Sequence, residues 1–325
     1  MQYRKLGRTG LKVSEICLGT MTYGEQVSET DAINLMKSAM AAGVNFFDTA
    51  DLYVNGKSEE VVGKALKKER HSVVLATKVA NKVGPNVNDA GLSRFHIMQA
   101  IEDSLRRLGT DYIDLYYAHM PDYDTPIEET LRAMDDLVHQ GKVRYIGCSN
   151  FRAWQLCKAL WVSDIHNLAR FDCIQPPYNL ITRDIEYELM PLCASEGIGV
   201  CVYNPLAAGL LTGKHDPNKP PTEGTRFTLE RVGQLYRERY WSATNFEAVT
   251  RLKQIAEEHG RSLTQLALAW ILHNETITSA ISSATSMKHL EENLGAAEIK
   301  LSEDELAACD DVWQQLRSLR FFYGR

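Results

Sequence analysis

Val44-Asn45-Phe46-Phe47-Asp48 is a short apolar run that ends on a carboxylate, and the same form recurs twice downstream. Val73-Val74-Leu75-Ala76-Thr77-Lys78 ends on an ammonium, and Ile113-Asp114-Leu115-Tyr116-Tyr117-Ala118-His119 ends on an imidazole. Short runs rich in β-branched and aromatic residues, separated by longer amphipathic segments, read as buried parallel strands joined by helices. In such folds reactive groups gather at the carboxyl ends of the strands.

Working outward, the spacing predicts strands at 15–19, 44–48, 73–77, 113–118, 143–147, 172–175, 198–203 and 277–282. Helices are predicted over 29–42, 58–68, 93–108, 126–140, 152–165, 183–196, 245–259, 262–273, 287–296 and 302–316. Ser28, Ser93, Pro126 and Ser302 mark helix starts, and Gly43, Gly109 and Gly141 mark ends. Eight strand-helix units without a glycine-rich fingerprint after the first strand favour a closed barrel over an open sheet. The expected fold is an α/β (β/α)8 TIM barrel, one domain over 1–325, with extra C-terminal helices. Tyr3-Arg4-Lys5-Leu6 and Leu11-Lys12-Val13, turned at Gly10, are expected to form a hairpin lid on its closed end. Segments 79–92 and 205–243 break the alternation and read as long loops at the reactive end. The second carries aromatic and basic side chains suited to folding over an anion.

The 325 residues suit one barrel with added loops, and 44% hydrophobic with 24% charged residues is ordinary for a globular chain. Apolar runs fall well short of the ~18 residues of a transmembrane helix, and no signal-type stretch opens the chain, so a cytoplasmic location without membrane attachment is expected. A net charge of -6 argues against nucleic acid as a partner. Seven cysteines with no Cys-x-x-Cys pair are expected to be buried free thiols, and no metal site is expected.

Asp48, Lys78 and His119, with Tyr53 five residues beyond the first of these strands, form a chemically coherent set. A phenol serving as proton donor needs its pKa brought down from ~10, which a nearby cation achieves. Lys78 is the candidate cation, and a buried ammonium in turn needs a carboxylate such as Asp48. A neutral His119 selected by a neighbouring contact would orient a carbonyl oxygen. Each residue alone has a structural reading as a salt bridge or core group. Tyr112, Tyr116 and Tyr117 read as packing, and so do Trp154, Trp161 and Trp270 on their helices.

Gly43-Val44-Asn45-Phe46-Phe47-Asp48-Thr49-Ala50-Asp51-Leu52-Tyr53, followed by Ser58-Glu59 and Gly63, resembles the signature of the aldo-keto reductase superfamily. Ala76-Thr77-Lys78, Ser104-Leu105-Arg106-Arg107-Leu108-Gly109, Asp111-Tyr112-Ile113-Asp114-Leu115 and Gly141-Lys142-Val143-Arg144-Tyr145-Ile146-Gly147-Cys148-Ser149-Asn150-Phe151 match in order. The resemblance covers about nine-tenths of the chain, up to Asn293. It implies a barrel that reduces aldehyde or ketone carbonyls to alcohols, with the catalytic tetrad at Asp48, Tyr53, Lys78 and His119. Tyr53 would protonate the oxygen as hydride reaches the carbon, an alkoxide-stabilising arrangement.

The resemblance also implies a cofactor, NADPH (NADP+), with NADH possible. Thr20, Met21, Asp48, Ser149, Asn150 and Gln175 match positions around the nicotinamide, and Tyr203 matches the aromatic on which it stacks. Pro205, Leu206, Gly209 and Lys214 lie in a stretch similar to the pyrophosphate loop of the branch that includes potassium channel β subunits and bacterial reductases. Arg226, Ser283, Thr285, His289, Glu292 and Asn293 match the adenosine end. His289 stands where many relatives have Gln or Arg, leaving Arg226 as the one fixed cation for a 2′-phosphate. Tyr23, Met120, Trp241 and Phe321-Phe322-Tyr323 are the candidates for a small-molecule carbonyl substrate's pocket. Physiological substrate and oligomeric state are not legible. Two other functions compete: a nicotinamide-binding redox-sensing module with little turnover, and a Schiff-base enzyme using Lys78 as nucleophile.

Overall fold

The computed structural model describes residues 1–230 and 232–317. Its packing divides the chain into two compact units: Met1–Pro177, Ile185–Tyr203 and Glu275–Glu291 form the first, and Tyr178–Asp184, Asn204–Asn274 and the segment from Glu292 form the second. The first unit begins with an antiparallel hairpin of β1 (Tyr3–Lys5) and β2 (Lys12–Ser14). Eight parallel strands follow: β3 (Ile16–Gly19), β4 (Phe46–Asp48), β5 (Val74–Val79), β6 (Ile113–Ala118), β7 (Val143–Ser149), β8 (Phe171–Gln175), β9 (Gly199–Val202) and β10 (Ile277–Ser282). They close in chain order, β10 pairing with β3, so the expected eight-stranded barrel is present. Its flanking helices are α1 (Glu29–Ala41), α2 (Lys57–Leu66), α3 (Arg94–Leu108), α4 (Ile127–His139), α5 (Ala153–His166) and α6 (Leu189–Glu196). The second unit contributes α7 (Gly233–Tyr240), α8 (Ala243–Glu258) and α9 (Leu263–His273); beyond β10 come α10 (Met287–Gly295) and α11 (Glu303–Leu316).

The strands alternate inward and outward, and the inward set of Cys17, Phe46, Val74, Ala76, Leu115, Tyr117, Cys173, Cys201 and Ile281 fills the barrel with Leu6 and Val13 from the hairpin. The hairpin therefore plugs the amino-terminal end. Arg8 N–H donates to Gly197 O at 2.7 Å, just before β9, and Arg4 Nη1 donates to Ile277 O at the first residue of β10. Gly7 makes this approach possible: at φ +55°, a Cβ there would sit 2.4 Å from Gly197 O and 2.5 Å from Gly199 N.

The helix starts follow the capping residues. Ser93 accepts from His96 N–H at 3.3 Å, and Ser302 forms a capping box with Glu305. Four sequence expectations are corrected, the last being that of Cys157, which is exposed rather than buried. The helix predicted over 183–196 begins only at Leu189, because the Pro191 ring tolerates the first turn but would clash with the Tyr187 carbonyl in a longer helix. The segment 205–243 is not structureless: it holds 3-10 turns at Ala207–Thr212 and Arg226–Thr228 and the helix α7, whose Tyr236 and Tyr240 stack four residues apart on an otherwise polar helix. Trp154 and Trp161 are not packed; they are 57% and 62% exposed, because α5 buries Leu156, Ala159, Leu160 and Ser163 on its other face. Trp270 is buried as expected, against Tyr178. Of the free cysteines, Cys157 is exposed and the other six are buried. Among the described residues, no helix is long and apolar enough to cross a membrane.

Candidate active site

Asp48 is the last residue of β4, Lys78 the last but one of β5, and His119 follows β6 directly. Because these strands are hydrogen-bonded neighbours, residues seventy positions apart converge on one rim. Tyr53 arrives on a different device. After β4 the chain enters a tight turn at Tyr53–Gly56 in which Val54 (φ 48°), Asn55 (φ 55°) and Gly56 (φ 84°) are all left-handed. A β-branched residue at positive φ is a true outlier, and such strain collects at functional sites.

Lys78 is fully buried and donates to three oxygens: Asp48 Oδ1 at 2.5 Å, Thr49 O at 2.6 Å and Tyr53 OH at 3.2 Å. Burial alone would strip its proton, but the charges and hydrogen bonds of Asp48 and Tyr53 outweigh that and raise its pKa. An ammonium with all three protons committed is no nucleophile, which argues against the Schiff-base reading. The second oxygen of Asp48 accepts from Gln175 Nε2 at 2.9 Å, so Gln175, expected only as a cofactor contact, also braces the ion pair. The ammonium also lies 4.8 Å from the Tyr53 ring centre.

The ring of His119 meets Tyr53 edge-on, with centres 5.9 Å apart. Burial, then the charge of Lys78, push its pKa well below the ordinary value, so the imidazole is neutral. The amide nitrogen of Asn81 lies 3.0 Å from Nδ1. With the amide placed this way Nδ1 accepts, which leaves the proton on Nε2 as a donor for a carbonyl oxygen. Asn81 escapes a reading of the sequence because nothing in the order of residues ties the start of the loop after β5 to the end of β6.

Around the tetrad in the first unit, Thr20 Oγ1 donates to Asp48 O at 3.0 Å and Ser149 Oγ to Gln175 O at 2.7 Å. Asn150, left-handed at φ 62°, donates to His119 O and Ser149 Oγ and accepts from Tyr203 OH at 2.8 Å. Ser149, Asn150, Gln175 and Tyr203 thus form one connected polar rim at the carboxyl ends of the strands; Met21 is half-buried after β3. Thr285 and His289 Nδ1 are exposed and 3.0 Å apart beyond β10, following Ser283. In the second unit, Pro205 and Leu206 enter a loop where Ala207, Ala208, Gly209 and Gly213 are left-handed, with Lys214 exposed just after it and Arg226 half-buried in its own turn. Glu292 accepts from Ser262 Oγ at 2.6 Å, and Asn293 is buried.

Of the substrate-pocket candidates, Tyr23 is fully buried with its hydroxyl donating to Ala284 O at 3.3 Å, and burial raises its pKa. Met120 is 44% exposed. Trp241 packs against His215, Phe227 and Phe246 within the second unit. Phe321, Phe322 and Tyr323 lie outside the described residues. One residue past Met120 begins a cleft of about 300 Å³, lined by Pro121, Asp122, Tyr123, Phe151 and Trp154 among others. It joins three loops, so no local stretch of sequence announces it.

A buried ammonium held by a carboxylate and touching a phenol oxygen, with a neutral imidazole donor beside it, can deliver a proton to a carbonyl oxygen. Comparison with known proteins places the chain in a family. The chain is 40% identical over 304 residues to a protein of Arabidopsis thaliana named probable voltage-gated potassium channel subunit beta, covering 92% of each chain. An Oryza sativa protein of the same name matches equally, and a putative channel β subunit of Schizosaccharomyces pombe is 38% identical over 322 residues, 95% of this chain and 92% of its own. The model of the aldo/keto reductase family matches residues 15–314, and with a closed barrel of this strand order beneath it, the chain belongs to that family.

Proposed function

We propose that the chain is an NADPH-dependent oxidoreductase that reduces aldehyde or ketone carbonyls to alcohols, with Tyr53 as proton donor. The observation that carries the reading is the contact of the Lys78 ammonium with Tyr53 OH at 3.2 Å while Asp48 holds the same ammonium at 2.5 Å. In that arrangement the positive charge favours the phenolate left behind, and the carboxylate keeps the charge in place. His119, with its proton on Nε2, directs the carbonyl oxygen toward Tyr53. The donor set of the first unit suits a nicotinamide: amides and a hydroxyl at Asn150, Gln175 and Ser149 suit its carboxamide, and Tyr203 offers an aromatic face. A bound nicotinamide would supply hydride to the carbonyl carbon. Thr285 and His289 are proposed to meet the 2′-phosphate, with NADH the weaker alternative.

The test is oxidation of NADPH, followed by absorbance, with a panel of aldehydes and ketones. Turnover that falls by about 10²–10⁴-fold in Tyr53→Phe supports the reading; no turnover above that variant across the panel counts against it. The names of the relatives at 38–40% identity favour a second reading, a nicotinamide-holding redox-sensing subunit of a channel complex with little turnover. Cofactor that stays with the protein through gel filtration, together with negligible turnover, would select it.

A further inference from the structure

Behind the tetrad lies a second buried cluster that proton donation as described does not use. Glu59 on α2 is fully buried; its Oε1 accepts from Thr77 Oγ1 at 2.6 Å, and its Oε2 pairs with Arg107 Nε of α3 at 2.6 Å. Arg107 also lies against the strained turn that carries Tyr53: a Cβ on Gly56 would stand 2.7 Å from its Cδ. Asp51, two residues before Tyr53, is 3% exposed, and its backbone N–H donates to Lys78 O at 3.3 Å. Neither of its carboxyl oxygens has a side-chain hydrogen-bond partner among the described residues, and the buried Tyr116 hydroxyl of β6 has none.

The charges decide the state of Asp51. Asp48 is matched by Lys78 and Glu59 by Arg107, so an ionised Asp51 would be a fifth charge with no counterpart. It has no claim on Lys78, whose three protons are already taken. The groups facing it are Glu59 from α2, Arg107 from α3, Lys78 from β5 and, through its own titration, Tyr116 from β6. We propose that Asp51 is a positioning residue for the tetrad, present as the neutral acid while the site donates protons, and that its ionisation weakens Tyr53 as an acid. Burial first, then repulsion by Glu59, raises its pKa to about 8, with Arg107, the backbone N–H of Leu52 and Lys78 opposing. When it releases its proton to water, the new negative charge beside Lys78 opposes formation of the Tyr53 phenolate. Tyr53 then holds its proton more tightly.

Two readouts need no turnover. The infrared carbonyl stretch of a protonated carboxylic acid, assigned by its loss in Asp51→Asn, should be present at pH 6 and vanish through about pH 8. The Tyr53 phenolate absorbance, taken as the difference between the protein and its Tyr53→Phe variant, should titrate about one pH unit lower when Asp51→Asn is added. If Asp51→Asn does not fold, Glu59→Gln serves, since removing the repelling carboxylate should move the infrared transition to lower pH. No acid band at pH 6, or a Tyr53 midpoint unchanged by Asp51→Asn, would overturn the proposal. The catalytic consequence rests on the reductase reading: kcat/KM should show a downward step near pH 8 that Asp51→Asn removes, and a step that survives with the same midpoint overturns the proposal. Absence of turnover in both proteins would instead count against the reductase reading, while the two titrations still decide the role of Asp51.

Discussion

Replacing Asp48 with Asn should convert a pH-independent ion pair into a pH-dependent liability. In the native protein Lys78 has no exposure and its pKa is raised, so its contribution to stability is complete below its unfolded value and is lost only as pH rises through the higher folded value. No slope from this residue is expected between pH 7 and 9. In Asp48→Asn the ammonium loses its counter-charge and keeps only neutral acceptors, Thr49 O, Tyr53 OH and the new amide oxygen, and removing the charged partner of a buried pair costs about 3–5 kcal/mol. The amine can escape by losing its proton, which sets a ceiling. From the ordinary lysine value of ~10.4, deprotonation costs about 5 kcal/mol at pH 7 but only about 2 kcal/mol at pH 9, at 1.36 kcal/mol per unit. The variant's folded pKa now lies below the unfolded one, so its stability should rise with pH by up to about 1.4 kcal/mol per unit across this window. Urea unfolding of both proteins at pH 7, 8 and 9 measures the difference. A deficit below about 1 kcal/mol at pH 7, or one of equal size at pH 7 and pH 9, would refute the reasoning.

Asn81→Ala should release Nδ1 of His119 and let the other tautomer compete, lowering kcat/KM by roughly tenfold with little change in NADPH affinity; an unchanged kcat/KM would remove Asn81 from the site. Gly63→Ala should destabilise by about 1–3 kcal/mol or more, because the new Cβ on α2 would sit 2.3 Å from Leu108 O at the end of α3, and thermal unfolding would show it as a lower Tm. Trp161→Ala should change stability by less than about 0.5 kcal/mol, whereas Trp270→Ala, which removes the partner of Tyr178 and Arg183, should cost about 3–5 kcal/mol; equal costs would show that α5 packs on something its exposure does not reveal.

The barrel was legible because a parallel strand buried on both faces leaves a continuous apolar run, and β6 is recognisable in Ile113–Ala118 residue for residue. The same logic failed where periodicity is weak. On α5 apolar residues occur on both faces, so composition alone could not say that Trp154 and Trp161 point outward. In α7 two tyrosines on a charged helix are too few to set a period.

By itself the sequence determined the order of elements, the strand-end placement of Asp48, Lys78 and His119, and membership of the family pattern, since each is a property of local runs and spacings. Only the tertiary structure decided the contacts. It tied Gln175 to the second oxygen of Asp48, set Asn81 on Nδ1 of His119, and left Asp51 without a counterion beside the Glu59–Arg107 pair. Those relations join strands and helices far apart in the chain, and the pKa of a buried group depends on which charges surround it in space rather than on its neighbours in sequence.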